Sequence, residues 1–199
     1  MQFPRTATAL AATALLLGAA TALAAPSGAA NRAATGFDDG SFEYQKAPAN
    51  AFTELAAGQN IGPWQVTGGS VDLIGAGFWQ AAEGNQSVDL NGNAAGSIAQ
   101  TFATVPGTTY SVTYALAGNP QLGPALKTGR ASIDGQDFQD FSFDTTGKTT
   151  AAMGYVGRQF TFVAVDDTTT LSFASTNAGA AGPVVDNVKV QACKSCPSC

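Results

Sequence analysis

Between residues 36 and 191 the chain sustains no helical period; it repeats an alternation of apolar and polar residues over five to eight positions. Tyr110, Val112, Tyr114 and Leu116 share one face of such a run, because successive side chains of a strand point to opposite sides. Phe160, Phe162 and Ala164 repeat the pattern, as do Leu171, Phe173 and Ser175. Ile98, Gln100 and Phe102 do so with an amide on the apolar side, and residues 138–143 and 184–190 add two more runs. Pro106-Gly107, Gly118-Asn119-Pro120, Asp134-Gly135, Thr146-Gly147 and Asp166-Asp167 punctuate them, as turns require. This spacing predicts one antiparallel all-β domain over residues 36–191, a sandwich or barrel of about nine to eleven strands. A parallel sheet would need crossover helices, and a solenoid would need a fixed repeat.

Composition narrows the chemistry. None of the 199 residues is histidine, which excludes Ser-His-Asp and Cys-His nucleophile systems and histidine-ligated metals. With nine basic and fourteen acidic residues the formal net charge is −5, and the scattered basic residues make no footprint for nucleic acid. Residues 1–24 read as a secretory signal: Arg5, an apolar run centred on Leu15, Leu16 and Leu17, and a small-residue cleavage site at Ala22 and Ala24. The expectation is a secreted, extracellular protein, with residues 25–35 as a disordered lead-in and no transmembrane segment in the mature chain. Residues 192–199 are a tail holding all three cysteines, Cys193, Cys196 and Cys199. Without a fourth ligand these do not close a zinc site. In an oxidising compartment they fit one disulfide within the chain and a third thiol for a partner.

Two nearly identical hexapeptides stand 17 residues apart, at residues 70–75 and 87–92. Val71 and Leu73 face one way and Ser70 and Asp72 the other; Val88 and Leu90 oppose Ser87 and Asp89 in the same manner. Two readings follow. These are ordinary strands with an inside and an outside, or they bring Asp72 and Asp89 together beneath the loop of residues 74–86. That loop carries Trp79, one of only two tryptophans. Sugars present C–H faces and hydroxyl rims, so an aromatic ring flanked by amides and carboxylates suits them. The expected carbohydrate-contacting set is Trp79, Gln80, Glu83, Asp89 and Asn91, with core packing as the alternative for Trp79. Trp64, between Pro63 and Val66, reads as a core plug, and Gln100 as a buried amide bonded to loop backbone.

The order of Asp39 to Glu43, Gly62-Pro63-Trp64, Gly69 to Leu73, Trp79-Gln80, Glu83-Gly84, Ser87 to Gly92, Gln100 to Phe102, Ala117 to Asn119, Phe141 to Asp144 and Gly182 to Val188 resembles the bacterial choice-of-anchor C domain, a relative of the plant cell-wall proteins of domain of unknown function 642. The resemblance spans residues 37–190. It implies an exported, galactose-binding-like jelly roll associated with cell-wall or extracellular polysaccharide and without enzymatic activity. No sorting motif or apolar helix follows Val190. Jelly-roll modules of this kind often hold a structural calcium ion (Ca2+) between the first and last strands, which here implies Asp39, Ser41, Glu43 and Asp186 as ligands. A two-residue period places Asp186 on a face with Val188 and Val190, where a carboxylate needs a partner. The partner is a cation or the backbone N–H groups at the strand start. A carboxylate-based glycosidase or lyase would draw on Asp72, Glu83 and Asp89. A structural or adhesive protein crosslinked through the cysteine tail is the third class.

Overall fold

The computed structural model describes residues 36–193, together with Met1. The expected signal, lead-in, Cys196 and Cys199 lie outside the described residues. Twelve strands follow in order: β1 (Phe52–Ala56), β2 (Asn60–Ile61), β3 (Trp64–Gly68), β4 (Ser70–Ile74), β5 (Ser87–Asp89), β6 (Ser97–Ala103), β7 (Thr109–Gly118), β8 (Leu126–Ile133), β9 (Gln136–Asp144), β10 (Val156–Val163), β11 (Thr168–Ser175) and β12 (Pro183–Ala192). They form two six-stranded sheets, β1-β4-β5-β12-β7-β10 and β2-β3-β6-β11-β8-β9. Every pairing between strands is antiparallel. The last strands return between earlier ones, β11 between β6 and β8 and β12 between β5 and β7. This hopping between sheets makes the sandwich a jelly roll. Among the described residues no helix is long and apolar enough to cross a membrane.

The alternating runs build the core as their period requires. Tyr110, Val112, Tyr114 and Leu116 of β7 are buried and meet Leu171 and Phe173 of β11 within the same cluster. Trp64 is fully buried, lies within 5.6 Å of Phe37 and 5.4 Å of Phe42 between ring centroids, and donates its indole N–H to the Asp39 carbonyl at 3.0 Å. Gln100 is the buried amide its position predicts. Its side chain accepts from the Asp38 N–H and donates to the Asp38 carbonyl, both at 2.9 Å. It thereby holds the segment leading into the first sheet against the second.

Two strands depart from the simple pattern. β8 gave no alternating signal because its buried positions are Lys127, Gly129, Ala131 and Ile133. The aliphatic stem of Lys127 occupies a core-side position, while its ammonium donates to the carbonyls of Leu122 (2.6 Å) and Ala181 (3.0 Å). In β12 the pairing with β7 slips between Asp186 and Lys189, and Asn187 takes a φ of 51°. Such a bulge re-aims side chains. Val185 pairs with Leu116 and Val190 with Val112 on the core side, whereas Asp186 pairs with Ala115 on the outside. The expectation that Asp186 shares a face with Val188 and Val190 is therefore corrected: the extra residue turns it outward.

Candidate functional site

The two hexapeptides lie side by side. Asp72 of β4 stands opposite Asp89 of β5, and Glu54 of β1 stands opposite Asp72. Glu54, Asp72 and Asp89 thus form one row across the outer face of the first sheet, while Val71, Leu73 and Val88 fill the core beneath. Like charges opposed across strands destabilise a sheet, so the surroundings of each decide what the row does.

Asp89 is fully buried and fully bonded. It accepts from the N–H groups of Asn91 (2.9 Å) and Gly182 (3.0 Å) and from the Asn119 amide (2.8 Å). Burial still pushes its carboxyl up to about 7, against those hydrogen bonds. Gly182 approaches so closely that a Cβ there would stand 2.1 Å from Asn91 Oδ1 and 3.0 Å from Asp89 Oδ1. Asn91 is also buried, its amide donated to the carbonyls of Asn177 (3.0 Å) and Gly179 (2.7 Å). These residues fasten the loops at one end of the sandwich and are closed to solvent. Asp89 and Asn91, both expected to contact a sugar, are thus buried side chains in this fold.

Asp72 differs. It is buried to more than nine-tenths, and its Oδ1 has no hydrogen-bond partner among the described residues. Burial, with the Glu54 charge opposite, pushes its carboxyl up to about 7. Glu54 is held the other way, below the usual carboxylate range, by the Ser70 hydroxyl and by Asn93. Asn93 donates its backbone N–H to Glu54 Oε1 at 3.1 Å and its side-chain amide to both carboxylate oxygens of Glu54 at 2.7 Å.

Glu54 and Asp72 floor a cavity of about 150 Å³. Cavities of roughly this size accommodate a six-membered ring such as benzene. One wall is aromatic. Phe52 is 48% exposed, its ring meets Phe78 edge-on at 5.5 Å, and Phe78 meets Trp79 at 5.4 Å. The opposite rim is Asn119, Gln121, Leu122 and Ala180. Asn119 makes the turn its place before Pro120 predicts, accepting from the Gln121 N–H at 3.0 Å while anchoring to Asp89.

Trp79 reaches this cavity but is not the open platform expected of it. It is only 5% exposed and its indole N–H is donated to the Ser87 hydroxyl at 2.8 Å. It seals the outer face of β5 and backs Phe78. Gln80 and Glu83 do not join it. Gln80 bonds the Met153 N–H and the Thr150 carbonyl, and the Glu83 backbone donates to Asp186. Neither lines the cavity. The aromatic surface belongs instead to Phe52 and Phe78, and the carboxylates to Glu54 and Asp72. Glu54 escaped sequence reading because β1 is five residues at a sheet edge with one buried side chain, Leu55.

The residues implied for calcium hold chain segments together. Asp39 accepts from the N–H groups of Glu43 (2.6 Å) and Tyr44 (3.2 Å). Glu43 accepts from those of Asn85 (2.6 Å) and Gln86 (2.8 Å) and pairs with Lys46 at 2.9 Å. Asp186 accepts from those of Ala82 (2.7 Å), Glu83 (3.0 Å) and Asn187 (2.6 Å). Ser41 lies in the turn between Asp39 and Phe42. Among the described residues no three Asp, Glu, Cys or His side chains form a group of metal-binding size. The donor set does not fit a calcium ion in this arrangement; backbone N–H groups take its carboxylates.

The fold and cavity together define an all-β jelly-roll domain with an aromatic and acidic pocket on one sheet. The family model described as "Protein of unknown function (DUF642)" matches residues 35–191, and the chain belongs to that family. No curated protein matches it in sequence. Among solved structures it is similar to a family 35 carbohydrate binding module from Clostridium thermocellum, at 15% identity and a TM-score of 0.49 over 69% of this chain and 97% of that one. It is also similar to the CBM22-1 xylan-binding domain of Paenibacillus barcinonensis Xyn10C, at 16% identity and a TM-score of 0.47 over 75% and 99%. At such identities the likeness concerns shape, and the fold stands on the strand pairing itself.

Proposed function

We propose that this protein is an exported, non-catalytic carbohydrate-binding domain, and that the cavity between Phe52, Phe78 and the Asn119 rim takes one sugar ring of an extracellular polysaccharide. The observation that carries the reading is the pairing of a half-exposed aromatic wall with a carboxylate oxygen that lacks a donor, in a space of ring size. Sugar C–H faces suit Phe52 and Phe78, and hydroxyl donors suit Asp72. The signal read over residues 1–24 and the narrower likeness to choice-of-anchor C domains agree with work outside the cell. The cysteine tail would then serve disulfide attachment, which a non-reducing gel of secreted protein reads directly.

One observation favours a second reading, hydrolysis. Environments that push two neighbouring carboxyls apart, as for Glu54 and Asp72, are how acid and nucleophile roles are divided. Against it, Glu54 has both oxygens taken by Asn93, which leaves a poor nucleophile. Calorimetry of the purified domain against a panel of wall polysaccharides tests binding. Affinities of roughly 10 μM to 1 mM, near −4 to −7 kcal/mol, suit a shallow one-ring site. Phe52→Ala should weaken binding about tenfold, or 1.4 kcal/mol, without shifting the melting curve. Binding of no glycan at all overturns the proposal; release of reducing sugar that Asp72→Asn abolishes moves hydrolysis ahead.

A further inference from the structure

The polar groups around the cavity differ in what they still lack. The Asn93 amide is taken by Glu54 and the Asn119 amide by Asp89. The side-chain atom left buried without a partner at the cavity floor is an acceptor, Asp72 Oδ1. Among the described residues no Lys or Arg lines the cavity. Lys127, whose charge acts on Asp89 at the far end of the row, donates its ammonium to the carbonyls of Leu122 and Ala181. Glu54, Asp72 and Asp89 meanwhile stand opposed across three neighbouring strands, an arrangement that costs stability when charged. A ligand that brings a positively charged donor to Asp72 satisfies the buried oxygen and relieves the row in one contact. A ligand that brings a carboxylate does the reverse.

Resting on the reading of this cavity as a sugar site, we infer that it selects sugars bearing a free ammonium group, the glucosamine class, over their N-acetylated and neutral counterparts, and that it rejects uronates. Acetylation removes the charge and adds bulk where the space holds one ring. The ammonium also favours the ionised form of the carboxyl it meets, so ligand and site charge each other.

The test is calorimetry near neutral pH with four disaccharide probes: glucosamine, N-acetylglucosamine, glucose and galacturonate units. Short probes avoid the general attraction of a polycation to an acidic protein. The free-amine disaccharide should bind at least about tenfold tighter than the acetylated one, and the uronate should not bind. Asp72→Asn should bring amine and neutral probes to within about threefold of each other while neutral binding persists. Asp137→Asn, in the ion pair with Arg130 on the other sheet, should leave the preference intact. Should Asp72→Asn fail to fold, Glu54→Gln serves in its place and should reduce the same preference. Equal binding of amine and neutral probes overturns the inference and leaves the carbohydrate reading standing. So does tight uronate binding, or a preference that survives Asp72→Asn. Absence of binding by all four probes and by the polysaccharide panel overturns both.

Discussion

Asp72 and Asp89 occupy the same position of two nearly identical hexapeptides, on neighbouring strands, facing the same way, and they do opposite things. β5 lies nearer the middle of its sheet, with β12 beyond it and the loops at residues 91–93, 119 and 182 folded over its end. Their N–H groups converge on Asp89, which becomes a fastening point. β4 is next to the edge strand β1. What covers it is the aromatic shelf and Glu54, which supply Asp72 with burial and a like charge but no donor. A carboxylate's role here is set by the donors that other segments deliver, and the strand that bears it decides only which way it points.

Removing Asp89 should therefore produce the largest effect. Asp89→Ala strands three buried donors, each worth about 1–3 kcal/mol when left unpaired. A loss of about 3–5 kcal/mol in a denaturant melt is expected, a large share of a typical domain's stability of roughly 5–15 kcal/mol. If Asp72→Ala costs as much, the contrast between the twins fails. Gly182→Ala attacks the same hub from the backbone side, because its new methyl group meets Asn91 and Asp89 at contact distances neither can relieve. Overpacking of this kind costs about 1–3 kcal/mol, and an unchanged melting temperature would show that the hub yields.

Acidity sharpens the comparison further. Burial raises the carboxyls of Asp72, Asp89 and Asp186 to about 7. The folded state then holds more protons than the unfolded chain between the ordinary carboxylate range and about 7. Stability should rise as pH falls through that window and should be lowest above it. Asp72→Asn should flatten part of this slope. Above neutral pH it should stabilise by about 0.2–1 kcal/mol, the scale of a relieved like-charge pair across strands. Melting temperatures measured across the window, wild type against variant, check both the sign and the share. The smallest expected effect is that of a chelator. With Asp39, Glu43 and Asp186 engaged by backbone N–H groups, it should leave the melting curve in place. A fall of several degrees, abolished by Asp186→Ala, would restore a calcium role.

The sequence alone determined the class of fold and much of its interior. A two-residue period is a property of the extended backbone, readable wherever apolar residues mark one face. It located the core sides of β4, β5, β6, β7 and β11, the outward direction of Asp72 and Asp89, and the buried places of Trp64 and Gln100. It was silent on β8, whose inward positions hold Lys127 and Gly129, and misjudged Asp186, because a one-residue bulge in β12 reverses the period without any local mark. Only the tertiary structure decided that Trp79 would be sealed against Ser87, that Phe52 and Glu54 of an edge strand would meet Phe78 and Asp72, and which carboxylates would find donors. Those outcomes depend on which segments fold over which strands, and contacts between separate segments, such as Trp79 with Ser87 or Asp89 with Gly182, leave no periodic trace in the chain.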